Sequence, residues 1–163
     1  MRRKETGLVY GEVYLKHETG HRHPEKPQRL TAIIENLEAA ELLDRLFLIK
    51  PAPAERSVLE LCHTATYIDE FKSAVEHSDP FLHTPECILS PATFAVALCA
   101  VGGVLKGIDK VIEGTVRNCF CAVRPPGHHA ESYRAMGFCF FNNVAIAARY
   151  LQQQHAIERI LII

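Results

Sequence analysis

An α/β fold built on a parallel sheet is what this sequence predicts, and three observations predict it. Residues 119–123, Cys-Phe-Cys-Ala-Val, form a short apolar, β-prone run that reads as a buried strand. A Pro- and Gly-rich loop with two adjacent histidines, His128 and His129, follows it at once. Asn142 or Asn143 can then cap a helix over residues 144–154, and residues 159–163 form a second apolar strand. Strand, loop, helix and strand in that order place the histidines at the carboxyl end of a strand, where open parallel sheets put their chemistry.

The rest of the chain supports one domain with a true core. Its 163 residues are 48% hydrophobic and 23% charged. A net charge of −1 and a pI near 6.7 give no electrostatic case for direct contact with nucleic acid or an anionic membrane. The basic start, Met1 to Lys4, is followed by no apolar leader segment, and no run is long enough to span a bilayer. A cytoplasmic location is expected, or a nuclear one in a eukaryote. The six cysteines are scattered without a Cys-x-x-Cys. Cys119 and Cys121 alternate on one strand face and read as buried reduced thiols.

Taken in order, residues 6–10 read as the first strand. The polar, aperiodic stretch between Lys16 and Pro27 reads as a loop. Its His17, His21 and His23 read as solvated or capping residues rather than structural metal ligands. Pro27 suits the first turn of a helix, whose stripe is Leu30, Ile33, Ile34 and Leu37. Residues 46–49 make a short strand ended by Pro51-Ala52-Pro53. Helical patterns follow at 55–61 and 67–75, then an aperiodic loop at 79–87 and a long helix over 91–113. Gly102-Gly103 inside that helix predicts close packing against a neighbour, since each glycine costs roughly 1 kcal/mol there against alanine. His63, His77, His83 and His155 read as surface or capping residues.

Tandem histidines on a loop stiffened by Pro and Gly can aim two near-neutral titrating groups at one centre. Taken alone, such a pair also reads as one backbone-bonded and one solvated ring. The run Arg124-Pro125-Pro126-Gly127-His128-His129-Ala130, with Met136-Gly137-Phe138-Cys139-Phe140-Phe141-Asn142-Asn143, resembles the signature of the zinc-dependent deacetylases. That family includes histone deacetylases, acetylpolyamine amidohydrolases and acetoin-utilisation proteins, and the class II type is the nearest in flavour. Three further stretches share the resemblance: Thr6 to Tyr10 as first strand; His23-Pro24-Glu25-Lys26-Pro27-Gln28-Arg29-Leu30; and Cys62-His63-Thr64 with Tyr67-Ile68. Leu89-Ser90-Pro91 resembles the family's approach to its next long helix.

The resemblance implies a three-layer parallel sheet of the arginase/deacetylase type, incomplete at the C-terminus, with residues 1–163 as the N-terminal part of one domain. It implies hydrolysis of acetyl-lysine or a related acetylated amine, with His129 as general base and then acid, and His128 supporting the developing charge. Phe138 would wall a narrow apolar tunnel, and the Gly137 carbonyl would accept the substrate amide. Glu86 stands where the family commonly presents an Asp that holds the substrate backbone; a solvated loop carboxylate is the alternative. Arg29 would line an internal passage for acetate, or else lie solvated. Zinc is the implied cofactor, held by an Asp-x-Asp-x-His run and a further Asp that residues 1–163 do not contain, so no metal ligand is assigned here. Some deacetylases carry a second, structural zinc near the loop before Pro27, but its cysteine ligands are not matched.

Those absences lead to further expectations. The chain alone would be inactive and bind no catalytic zinc. Its terminal strand would fray unless a second polypeptide, either the remaining part or another copy, completes the sheet. Acetylpolyamine hydrolysis and a catalytically inactive binding module are the alternatives to an acetyl-lysine deacetylase.

Overall fold

The computed structural model describes residues 5–163; the basic start, residues 1–4, lies outside the described residues. Three short strands, β1 (Thr6–Val9), β2 (Phe47–Ile49) and β3 (Asn118–Cys121), form a parallel sheet in the order β2-β1-β3. Leu8 sits in register with Leu48 on one side and Phe120 on the other. Parallel neighbours need crossover connections. Here α1 (Gln28–Ala39) links β1 to β2, while α2 (Arg56–Leu59), α3 (Ala65–Glu76) and α4 (Thr93–Ile112) intervene before β3. The chain is therefore an α/β fold.

The two faces of the sheet follow from strand alternation. Gly7, Val9, Cys119 and Cys121 face α4, where a β-carbon at Gly107 would lie 3.0 Å from the Cys119 sulfur and 3.2 Å from Val9. Leu8 points the other way and clusters with Leu30 of α1, whereas Leu48 and Phe120 on that face stay exposed. The cysteine pair of β3 shares a face as expected, but both residues are half-buried rather than fully buried.

The glycine pair of α4 is a close-packing device. A side chain at Gly102 would run into the Ala52 carbonyl oxygen, and the Ala54 N–H donates to the Leu98 carbonyl at 3.0 Å. One core cluster brings α3 and α4 together with Phe140 and Phe141, the aromatic pair that follows the histidine loop. Phe71 of α3 stacks on Phe140, with ring centroids 4.8 Å apart. The Tyr67 hydroxyl donates to the Phe140 carbonyl at 2.6 Å. No helix among the described residues is long and apolar enough to cross a membrane.

Residues 159–163, read as a strand that would fray without further chain to pair with, are unpaired here. They adopt no strand, and Leu161, Ile162 and Ile163 are exposed. An apolar β-prone run becomes a strand only where a ladder partner satisfies its backbone, and none stands beside these residues among those described.

Candidate functional site

The site grows from the end of β3. The strand stops at Cys121, and Arg124 turns back into the protein, 2% exposed. Its guanidinium forms a bidentate pair with Glu25, also buried: Nε to Oε1 and Nη2 to Oε2 are both 2.9 Å. Nη1 donates to the carbonyls of Tyr14 (2.7 Å) and His17 (2.6 Å). A planar fork with all its partners in place is the geometry that makes a buried ion pair tolerable. It ties the loop ahead of α1 to the loop that carries the histidines.

His128 and His129 are both exposed, with ring centroids 4.3 Å apart and planes inclined at 54°. Among the described residues no side chain hydrogen-bonds to either ring. The loop below them is fixed from α5 (Asn143–Gln154). The Asn142 side chain caps that helix by accepting the Ala145 N–H at 3.0 Å, and its amide donates to the Ala130 carbonyl at 3.0 Å. Gly127 is needed because a β-carbon there would run into the backbone at Phe141 and Asn143.

Gly137 and Phe138 form a tight turn against the pair. Both have left-handed backbone, φ 57° and 67°, and a β-carbon on Gly137 would sit 2.6–2.9 Å from atoms of His129. Gly137 and His129 thus pack in direct contact. The Gly137 carbonyl accepts a hydrogen bond from the Cys139 thiol at 3.2 Å, and burial pushes that thiol up to about 11. Glu86 reaches the same turn, its Oε1 accepting the Gly137 N–H at 2.8 Å. Arg29 is exposed but lines a cleft of about 140 Å³ together with Glu25, Arg124 and Pro126. The sequence-predicted residues therefore gather in one region around the end of β3, with Arg29 at the cleft beside Arg124 and Pro126.

Two histidines read as solvated, capping or surface groups are instead buried. His17, 1% exposed, bonds through Nδ1 to the Thr93 hydroxyl at 2.9 Å, with its Nε2 3.9 Å from Glu25. Burial first, then the nearby Arg124 and His23, lower its pKa to about 3. His63, 3% exposed, accepts the Asn142 N–H at 2.9 Å through Nε2. Its Nδ1, facing the backbone of Glu131 and Ser132, makes no well-formed hydrogen bond. Burial is the largest cause lowering the pKa of His63 as well.

Burial disfavours the charged form of both in the folded chain, so both take up a proton more readily once unfolded. Stability should therefore be level above about pH 6.5 and fall as pH drops below it, down to about 3 for His17. The slope is up to about 1.4 kcal/mol per pH unit for each such histidine. Urea midpoints measured from pH 7.5 to 4.5 check this, and a His17→Gln variant should show a shallower fall. An unchanged slope in that variant would count against it.

Sequence reasoning named Arg124 and Glu25 only as parts of motifs and missed that they bond each other. No local signal pairs them: Glu25 lies in the loop before α1 and Arg124 follows β3, 99 positions away. Among the described residues, no group of three or more His, Cys, Asp or Glu is placed to hold a metal ion.

Comparison with known proteins supplies the family. The histone deacetylase domain pattern matches residues 23–163. Histone deacetylase 5 of Arabidopsis thaliana is 36% identical over 173 residues, covering 99% of this chain and 26% of that protein. The rat polyamine deacetylase HDAC10 is 38% identical over 144 residues, covering 85% of this chain and 24% of that protein. A probable deacetylase of Archaeoglobus fulgidus is 35% identical, covering 97% of this chain and 44% of that protein. The crystal structure of the HDA15 HD domain superposes with a TM-score of 0.83 at 31% identity, over 94% of this chain and 44% of that one. The parallel sheet described above is accordingly that of the arginase/deacetylase type. The chain spans from about a quarter to about half the length of these relatives. With the domain pattern matched over most of its length and the fold shared, this chain belongs to the histone deacetylase family.

Proposed function

We propose that these residues supply the proton-handling and substrate-lining part of a deacetylase site that hydrolyses acetyl-lysine or a related acetylated amine. The observation that carries the reading is the paired exposure of His128 and His129 at the end of β3, with the Gly137–Phe138 turn packed on His129. A ring nitrogen of His129 takes a proton from the attacking water and returns it to the leaving amine, and His128 supports the charge that develops. Phe138 bounds the entry, and Arg29 lines the inner cleft through which acetate leaves. Zinc dependence belongs to the same proposal: in the complete protein the ion's chemistry is polarisation of the acetamide carbonyl and activation of water, from ligands outside these residues.

Release of free acetate from an acetyl-lysine peptide and from an N-acetylated polyamine tests this on the complete protein. The peptide is the expected substrate, with turnover blocked by a hydroxamate. Turnover of the polyamine alone would favour the small-molecule reading, to which the 38% identity with the rat polyamine deacetylase lends support. Turnover of neither would overturn the proposal.

A further inference from the structure

We propose that Glu86 and His23 form a clasp that positions the Gly137–Phe138 turn, and through it the ring of His129. The inference rests on the reading of His129 as the base, and it gives two residues a task that neither a solvated carboxylate nor a capping histidine performs.

The turn needs holding. Phe138 carries a β-carbon at φ 67°, directly after Gly137 at φ 57°. A residue other than glycine keeps left-handed backbone only where its surroundings fix it. The turn supplies two bonds of its own, Met136 N–H to the Cys139 carbonyl (3.2 Å) and Cys139 N–H to the Met136 carbonyl (2.9 Å). The Gly137 N–H has no partner inside the turn and goes to Glu86 Oε1 instead, at 2.8 Å.

Glu86 is in turn held by His23. With its proton on Nε2, the His23 ring donates to the Glu86 backbone carbonyl at 3.1 Å and accepts the Glu25 N–H on Nδ1 at 3.1 Å. A proton on Nδ1 would find the Glu25 carbonyl at 2.8 Å. The same ring stands edge-on to Phe138, centroids 4.8 Å apart and planes at 76°. Glu25 is the residue that the buried Arg124 fork fixes. Three loops distant in sequence thus meet at the turn, and the turn meets His129. Displacing a catalytic base by about 1 Å is enough to cost orders of magnitude in rate.

The test uses the complete protein and three forms: wild type, Glu86→Ala and Glu86→Gln. Glutamine keeps an oxygen that accepts the Gly137 N–H and loses the charge. The expected result is a fall in kcat of about tenfold or more for Glu86→Ala, even on a small acetylated amine too short to reach the rim, with Glu86→Gln close to wild type. Amide exchange of the peptide containing Gly137 and Phe138 should quicken in Glu86→Ala and not in Glu86→Gln. That second readout needs no turnover, so it tests the clasp even if the deacetylase reading fails. Unchanged exchange in Glu86→Ala, or a rise in KM confined to long substrates with kcat intact, would overturn the proposal.

Discussion

Replacing Arg124 with methionine should lower the stability of the complete protein by about 3–5 kcal/mol, more than any other single change at the base of the site. The side chain is 2% exposed, and its four hydrogen bonds go to two carboxylate oxygens and two backbone carbonyls. Methionine fills much of the same space, so the loss is mainly electrostatic. Glu25 would be left as a buried charge, and the Tyr14 and His17 carbonyls would be left without donors. Removing both partners in an Arg124→Met, Glu25→Met double variant should recover part of the loss, because no isolated charge remains. Recovery should be incomplete, since the two carbonyls are still unpaired. Guanidinium unfolding of the three variants measures the coupling. A cost below about 1 kcal/mol for Arg124→Met would mean that water reaches the pair and that it is not the anchor of the loop.

That ion pair marks the boundary of what the sequence discloses. Arg124 and Glu25 stand 99 positions apart, and nothing local in either segment requires the other. The same holds for His17 and His63. Their burial depends on Thr93 and on Asn142, 76 and 79 positions away. A polar histidine-rich loop looks solvated until a distant partner covers it. Features governed by neighbouring residues were legible. The strand, the stiff histidine loop and the Asn142 cap follow from turn and capping chemistry within about 25 residues. Gly102-Gly103 announced a close approach because a glycine pair inside a helix is otherwise unfavourable, and the Ala52 carbonyl oxygen lies where a side chain would go.

Residues 159–163 show the converse limit. Their composition is that of a buried strand, yet hydrophobic pattern specifies only a tendency. The ladder that makes a strand comes from other segments, and here Leu161, Ile162 and Ile163 stay exposed. Glu86 lies between these cases. Its resemblance to a rim carboxylate that holds substrate was readable, whereas its bond to the Gly137 N–H was not.

His129→Ala should reduce turnover of the complete protein by about a hundredfold or more while leaving bound metal unchanged. The ring is exposed, so its loss opens no cavity in the core, and stability should change little. Gly137 loses the surface it packs against, but the turn keeps its own two backbone bonds and the Glu86 contact. The effect should therefore appear in kcat rather than KM, as expected for a group that acts on the proton in flight rather than in binding. His128→Ala makes the comparison informative. If His129 is the base and His128 a supporting charge, the second variant should retain more activity and shift the pH profile differently. Metal content measured on both variants decides between the roles. Loss of metal in His129→Ala would make His129 a ligand and remove it from the proton path, and equal activity of the variant and the parent would remove it from the chemistry altogether.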